Sequence, residues 1–332
     1  MLSLPSSSSA SASALKHSAT QVRALLGANL GICLARAPDQ QRSSRALLVT
    51  NRLDRGEDAN EMRGEGENRN TLACARGPQQ RRCCFSMKTR RYGRIVFGAS
   101  AALFGVIALL WHDADTWQNL RQIWSFPFGI VIGGCLMVLL IAGGIAMQYP
   151  RTTRLASVVL CVVFGCFALA CIPGIIKAPT VYAQYGSFFE QFSLLCGAVA
   201  LNAATATNAA RAVDLGRAAR LGLGVCAISF TLAQIFYLRF TADLVPRWIP
   251  PNQMFWAILT TVGFGLAALA ILIDRQARLA IRLMTLMLLL FGVLVWVPRL
   301  IAHPEAHLNW SELALTLLIA GAAWRVGDLE SF

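Results

Sequence analysis

From Met87 onward, apolar residues come in long uncharged runs broken by short polar segments. The runs predict eight helices, at 95–111, 126–147, 155–173, 188–206, 221–238, 254–273, 281–297 and 310–325. Runs of this kind cross bilayers, which takes about 20 residues per helix. Several are shorter, so they are expected to extend into the interface or to pack inside the bundle. Residues 1–86 show no sustained period and are rich in Ser, Arg, Asn and Gln. They predict a disordered tail, because so polar a segment buries too little surface to offset its chain entropy.

Composition sharpens this contrast. The chain has 332 residues, 56% hydrophobic and 14% charged, with 30 Lys+Arg against 17 Asp+Glu and a formal charge of +13. Residues 1–86 hold 12 basic and 7 acidic residues, leaving 18 and 10 for the longer remainder. That remainder is too apolar for a soluble enzyme, a secreted disulfide scaffold or a nucleic-acid binder. The basic excess of the tail is scattered and lacks interleaved aromatics, so no nucleic-acid partner is expected.

The tail admits two readings. Up to Arg52 it carries Ser, Ala and Arg with one acid, Asp39, which suits an organellar targeting peptide. Six acids from Asp54 to Glu67 then suit it badly. The favoured expectation is that the natural chain begins at Met87, where MKTRRYGRIVFG sets four basic residues before a span. Met1 stays open as the start.

Loop charge predicts orientation. On the eight-helix reading, thirteen basic residues fall on the side of Met87, among them Arg94, Arg151, Arg154, Arg220, Arg275 and Arg278, against five opposite. That places both termini in the cytoplasm of what is expected to be a bacterial inner membrane. Seven of eight Trp gather near the other face, including Trp111, Trp117, Trp124, Trp248 and Trp310, while Trp324 sits at the inner boundary.

Segments recur at separations of 124 to 126 residues. IWSFPF, 123–128, matches RWIPPN, 247–252, and IPGIIKAP, 172–179, matches VPRLIAHP, 297–304. Arg94 matches Arg220, and Arg154-Leu155-Ala156 matches Arg278-Leu279-Ala280. Two four-helix units, 87–210 and 211–332, are therefore expected as parallel repeats, because an even helix count inserts both the same way up. The segment LVPRWIPPNQMFWAILTTVGFGLAALAIL resembles the second-helix region of the DoxX family, and ARLAIRLMTLMLLLFGVLVWVP resembles its third helix. The first unit is a weaker version, with WSFPFG in place of the W-I-P-P pattern. The resemblance covers 90–325 and implies a tandem pair of small membrane bundles. It suggests a redox setting through the family's namesake, a subunit of a thiosulfate:quinone oxidoreductase, but no specific activity.

Candidate chemistry is sparse. Glu190 and Glu312 are read as occupying matching places in the fourth and eighth helices, and as either intramembrane carboxylates or helix caps. The caps are favoured. Ser187 to Glu190 and Asn309 to Glu312 fit a capping box or its Asn variant, in which the Glu three residues on reaches back to the cap amide. Cys161, Cys166 and Cys171 do not share a helix face, and no C-x-x-C occurs. His303 and His307 lie in a Pro-containing loop with no completing ligand, so no metal is expected. No span carries an interior His for haem, and no cofactor or catalytic residue is assigned. Asp113 and Asp115 read as solvated loop residues. A small-molecule site, if present, is expected at the outer face, near Trp124, Tyr182, Tyr185, Glu190, Trp248, Asn309, Trp310 and Glu312.

The expected architecture is an all-α integral membrane protein in contact with lipid. A non-enzymatic accessory or scaffold component, serving other membrane or redox proteins, is the leading functional expectation. A transporter or channel for a small or apolar solute and a quinone-linked oxidoreductase subunit are the alternatives. Convergence of Gln191, Asn202 and Gln234 on a continuous cavity would discriminate between them.

Overall fold

The computed structural model describes residues 78–111 and 123–329, with side chains from Tyr92. The chain divides after Ala73, and all that is described belongs to the second unit, Cys74–Phe332. Most of the expected tail, together with Asp113, Asp115, Trp117 and the Met87 side chain, lies outside the described residues. From Pro78, however, the end of that tail is helical and runs into the first span.

The described elements are all helical. They are α1 (Pro78–Trp111), α2 (Gly129–Ala146), α3 (Thr153–Ala170), α4 (Ile172–Lys177), α5 (Tyr182–Thr205) and α6 (Ala209–Phe236). Then come α7 (Leu238–Leu244), α8 (Gln253–Leu272), α9 (Ala277–Phe291), a π-helical turn (Gly292–Trp296), α10 (Val297–Ala302) and α11 (His307–Leu329). Six stretches are long and apolar enough to cross a bilayer: Tyr92–Trp111, Gly129–Ala146, Thr153–Lys177, Ala209–Phe236, Gln253–Leu272 and Ala277–Ala302. The chain is thus a helical membrane protein. The two long helices outside this set, α5 and α11, are less apolar and hold the centre of the packing.

Neighbours explain why. Helix α5 packs against α3, α6 and α11, while α11 packs against α9, α1 and α5. The outer helices run α1 on α2 on α3 and α6 on α8 on α9. A helix covered on several sides need not be apolar all round to be stable in lipid, since protein shields its polar groups.

Small residues let α5 and α11 cross closely. A Cβ at Gly197 would stand 2.5 Å from the Cβ of Ala322, and one at Gly321 would stand 2.7 Å from the Cα of Phe97 on α1. Such close backbone approach is how helices associate where lipid removes the usual hydrophobic drive.

Local details also recur along the chain. Pro173 and Pro298 each take the second position of a six-residue helix, α4 and α10. The residues closing those helices, Ala178 and His303, share φ near −138° and ψ near 68° (−138°, 67° and −137°, 69°). The hydroxyl of Tyr185 donates to Pro179 O at 3.2 Å, and Trp310 Nε1 donates to Pro304 O at 3.0 Å. A proline cannot donate to the carbonyl four residues back, so the incoming helix must adjust. Before Pro173 the chain tightens, with Cys171 N–H on Ala168 O. Before Pro298 it widens, with Val297 N–H reaching Gly292 O across the π turn.

Two expectations about α5 and α11 change. Both helices start earlier than their apolar runs, at Tyr182 and His307. Ser187 is therefore inside α5, where its hydroxyl donates back to Ala183 O at 3.2 Å. Asn309 is inside α11, where its amide donates to Arg299 O and His303 O and so caps the end of α10. Neither Ser187 with Glu190 nor Asn309 with Glu312 forms a capping box. Nor do the two glutamates match in register: the 125-residue spacing of Pro179 and Pro304 sets Glu312 opposite Ser187 and Glu190 opposite Leu315.

Candidate functional site: a carboxylate cavity between α5 and α11

Toward their starts, α5 carries Ser187, Glu190 and Gln191, and α11 carries Ser311 and Glu312. Glu190 lies eight residues into α5, and Glu312 lies five residues into α11. At about 1.5 Å per residue, these are roughly 12 and 8 Å along the helix axes. Both are half-buried and line the same space.

That space has two lobes. The larger, of about 610 Å³, is bounded by α1, α5, α6, α7, α9 and α11 at the end of the molecule that carries the Pro-rich loops. Besides the glutamates, its polar lining includes Ser187, Gln191, Gln234, Tyr237, Thr241 and Ser311. Its aromatic lining is Phe104, Phe240 and Phe291. The smaller lobe, about 190 Å³, continues from the same two glutamates and Gln234. Apolar residues dominate there: Phe230, Phe264, Met287, Leu288 and Ile319. A volume of this order matches the usual size of small-molecule pockets.

Electrostatically the site is one-sided. Among the described residues no Lys, Arg or His lines either lobe. Among the described residues no group donates a hydrogen bond to either carboxyl. Two further buried polar atoms of the lining, Gln191 Oε1 and Ser311 Oγ, also lack a hydrogen-bond partner. Buried polar groups are nearly always satisfied, so unsatisfied ones grouped about a cavity mark a place where water or a solute completes them.

Surrounding contacts hold the geometry. Thr261 Oγ1 donates to Gln234 Oε1 at 2.9 Å and Thr260 Oγ1 does so at 3.4 Å, which fixes that amide. The Tyr237 hydroxyl accepts from Ala183 N–H at 3.2 Å, satisfying an amide that the first turn of α5 leaves open. The Tyr182 hydroxyl bonds Ser229 O and Oγ, pinning α5 to α6. Phe291 lines both lobes immediately before the π turn, a wide-turn element frequent at functional sites.

Of the residues singled out from sequence, Glu190 and Glu312 meet in the cavity, and Gln191 and Gln234 join them. Asn202 lies elsewhere on α5. Tyr182, Tyr185, Asn309 and Trp310 surround the helix starts as structural contacts and do not line the cavity. Trp248 is largely exposed, and Trp124 is half-buried against the hydrophobic core. Tyr237, Phe240, Thr241 and Phe291 were not singled out. The only signal for them was the break at Tyr237 and the Gly292–Pro298 spacing, and neither says which side chains face inward. Among the described residues no cluster of His, Cys, Asp and Glu could hold a metal ion. Compared with family models, curated proteins and solved structures, the chain matches none.

Proposed function

We propose that this protein is an eight-span membrane protein that binds a small solute between its two halves and moves it across the bilayer. The observation that carries the reading is the convergence of Glu190, Glu312, Gln191 and Gln234 on one cavity. Intramembrane ionisable residues are expensive, and where they occur they face bundle interiors and solute pathways. The capping explanation that made them ordinary is removed by the helix starts. An accessory or scaffold role needs no such cavity.

In this reading α5 and α11 complete eight spans, and the chain is a duplicated DoxX-like unit with parallel repeats. Support comes from the packing, in which the main long-helix pairs have counterparts: α1·α2 with α6·α8, α3·α5 with α9·α11, and α5·α6 with α11·α1. Further support comes from Gly197 crossing Ala322, which lies 125 residues on. The arginine bias then sets the Pro-loop end, and the mouth of the cavity, outside a bacterial inner membrane, with both termini inside.

The test is reconstitution in liposomes with a panel of small solutes, scored by uptake and by thermal stabilisation. A transported solute should lose its uptake when Glu190 and Glu312 are both replaced by Gln. Absence of binding and uptake for every solute class would overturn the reading.

A further inference from the structure

Resting on the solute-binding reading, we infer that the cavity is built for an organic cation: an ammonium head between Glu190 and Glu312, with a short apolar body in the inner lobe. Sign is the first reason. The lining offers two carboxyl groups, and the buried oxygen Gln191 Oε1 has no donor. Among the described residues it presents no cationic side chain to hold an anion. An anionic solute would meet two glutamates in a poorly hydrated space, which is an effective device for rejection.

Size is the second reason. An inorganic cation needs a tight cage of oxygens at about 2.0–2.6 Å, and a lobe of about 610 Å³ is no such cage. The walls beside the carboxyls are instead aromatic, with Phe104, Tyr237, Phe240 and Phe291. Ring faces attract a diffuse cation such as a quaternary ammonium, and that attraction grows as water is removed.

Shape is the third reason. Glu190, Glu312 and Gln234 are common to both lobes and therefore stand at their junction. Beyond them the space narrows to about 190 Å³ between Phe230, Phe264, Met287 and Ile319. A head at the junction places a tail of a few carbons among these side chains.

Calorimetry on the purified full chain in lipid nanodiscs tests this with four probes: tetramethylammonium, butyltrimethylammonium, hexanol and hexanoate. Butyltrimethylammonium should bind more tightly than tetramethylammonium, by about fourfold for each methylene the inner lobe accepts. Hexanol and hexanoate should bind at least tenfold more weakly. The double variant E190Q/E312Q should lose tenfold or more for both ammonium probes. Met287→Phe, which narrows the inner lobe, should erase the gain from the butyl chain and leave tetramethylammonium unchanged. Thr316→Leu, at the same lobe, serves if the first variant does not fold. Hexanol or hexanoate binding as tightly as the ammonium probes would overturn the cation assignment and leave the cavity reading standing. Ammonium binding unchanged in E190Q/E312Q would overturn the head site. A butyl gain that survives both inner-lobe variants would overturn the placement of the tail. Failure of all four probes to bind the unaltered protein would overturn the solute-binding reading itself.

Discussion

The same two helices, α5 and α11, make a dry seam at one end and an open cavity at the other. In the seam Ala198, Ala200, Ala320, Ala322 and Ala323 are all fully buried, and Gly197 and Gly321 admit neighbouring backbone. In the cavity half the facing residues are Ser187, Glu190, Gln191, Ser311 and Glu312. Ionisable groups occur in both halves but are handled in opposite ways. Arg325 and Asp328 are both 7% exposed, and Arg325 Nη1 donates to Asp328 Oδ2 at 3.0 Å. Among the described residues Glu190 and Glu312 have no such counter-ion. At Arg325 and Asp328 opposite charges meet within one turn of helix, whereas among the described residues the two cavity glutamates meet no cation. A structural role accounts for the first arrangement and not for the second.

The largest expected effect comes from breaking the compensated pair. Arg325→Leu removes the hydrogen bond that Arg325 Nη1 donates to Asp328 Oδ2 at 3.0 Å, and breaking a buried pair typically costs about 3–5 kcal/mol. The variant should be recovered poorly or melt far below the parent in detergent. Arg325→Leu with Asp328→Leu should regain much of the loss, because removing both charges also removes their desolvation cost. If the single variant is as stable as the parent, the pair does not hold the end of α11.

Next in size is the close crossing. A Cβ at Gly321 would meet Phe97 backbone, and one at Gly197 would meet Ala322, with no flexible side chain to give way. Gly321→Ala and Gly197→Ala should each cost about 1–3 kcal/mol, as overpacking commonly does. Thermal unfolding followed by tryptophan fluorescence measures this. Neutral outcomes at both positions would mean that the seam is looser than the cavity it closes.

A smaller effect is expected from the loop anchors. Tyr185→Phe and Trp310→Phe each remove one donor to a proline carbonyl. Each should cost about 0.5–1.5 kcal/mol, the usual net value of one hydrogen bond. Nearly equal losses would sharpen the view of the two halves as copies of one unit; a large loss at one alone would weaken it.

Smallest of all is the expected stability change on neutralising the cavity. Glu190→Gln with Glu312→Gln removes no hydrogen bond or ion pair among the described residues, so the melting temperature should stay level or rise. A loss as large as that of Arg325→Leu would show that the two halves handle charge alike, and the contrast would be gone.

The apolar runs determined a great deal by themselves. Mean hydropathy over about 20 residues is a local property, and six stretches satisfy it without help from neighbours. The proline loops were equally legible, because Pro173 and Pro298 impose their effect on the residues beside them. The helix starts were not. A helix in a membrane protein need not begin where apolarity begins, and α5 begins six residues before Phe188, where the apolar run was read to start. That shift turned an expected capping box into two uncapped carboxyl groups. Nor could the sequence say that Glu190 and Glu312, on helices far apart along the chain, line one space with Gln234 and Phe291. Spacing along one helix tells which residues share its face, but not what faces them. Which helices meet, and how closely, is set by the fit of Gly197, Gly321, Ala322 and Phe97 across three helices. Only the tertiary structure contains that fit. It closes one end of the α5–α11 pair and leaves the other open around two carboxyl groups.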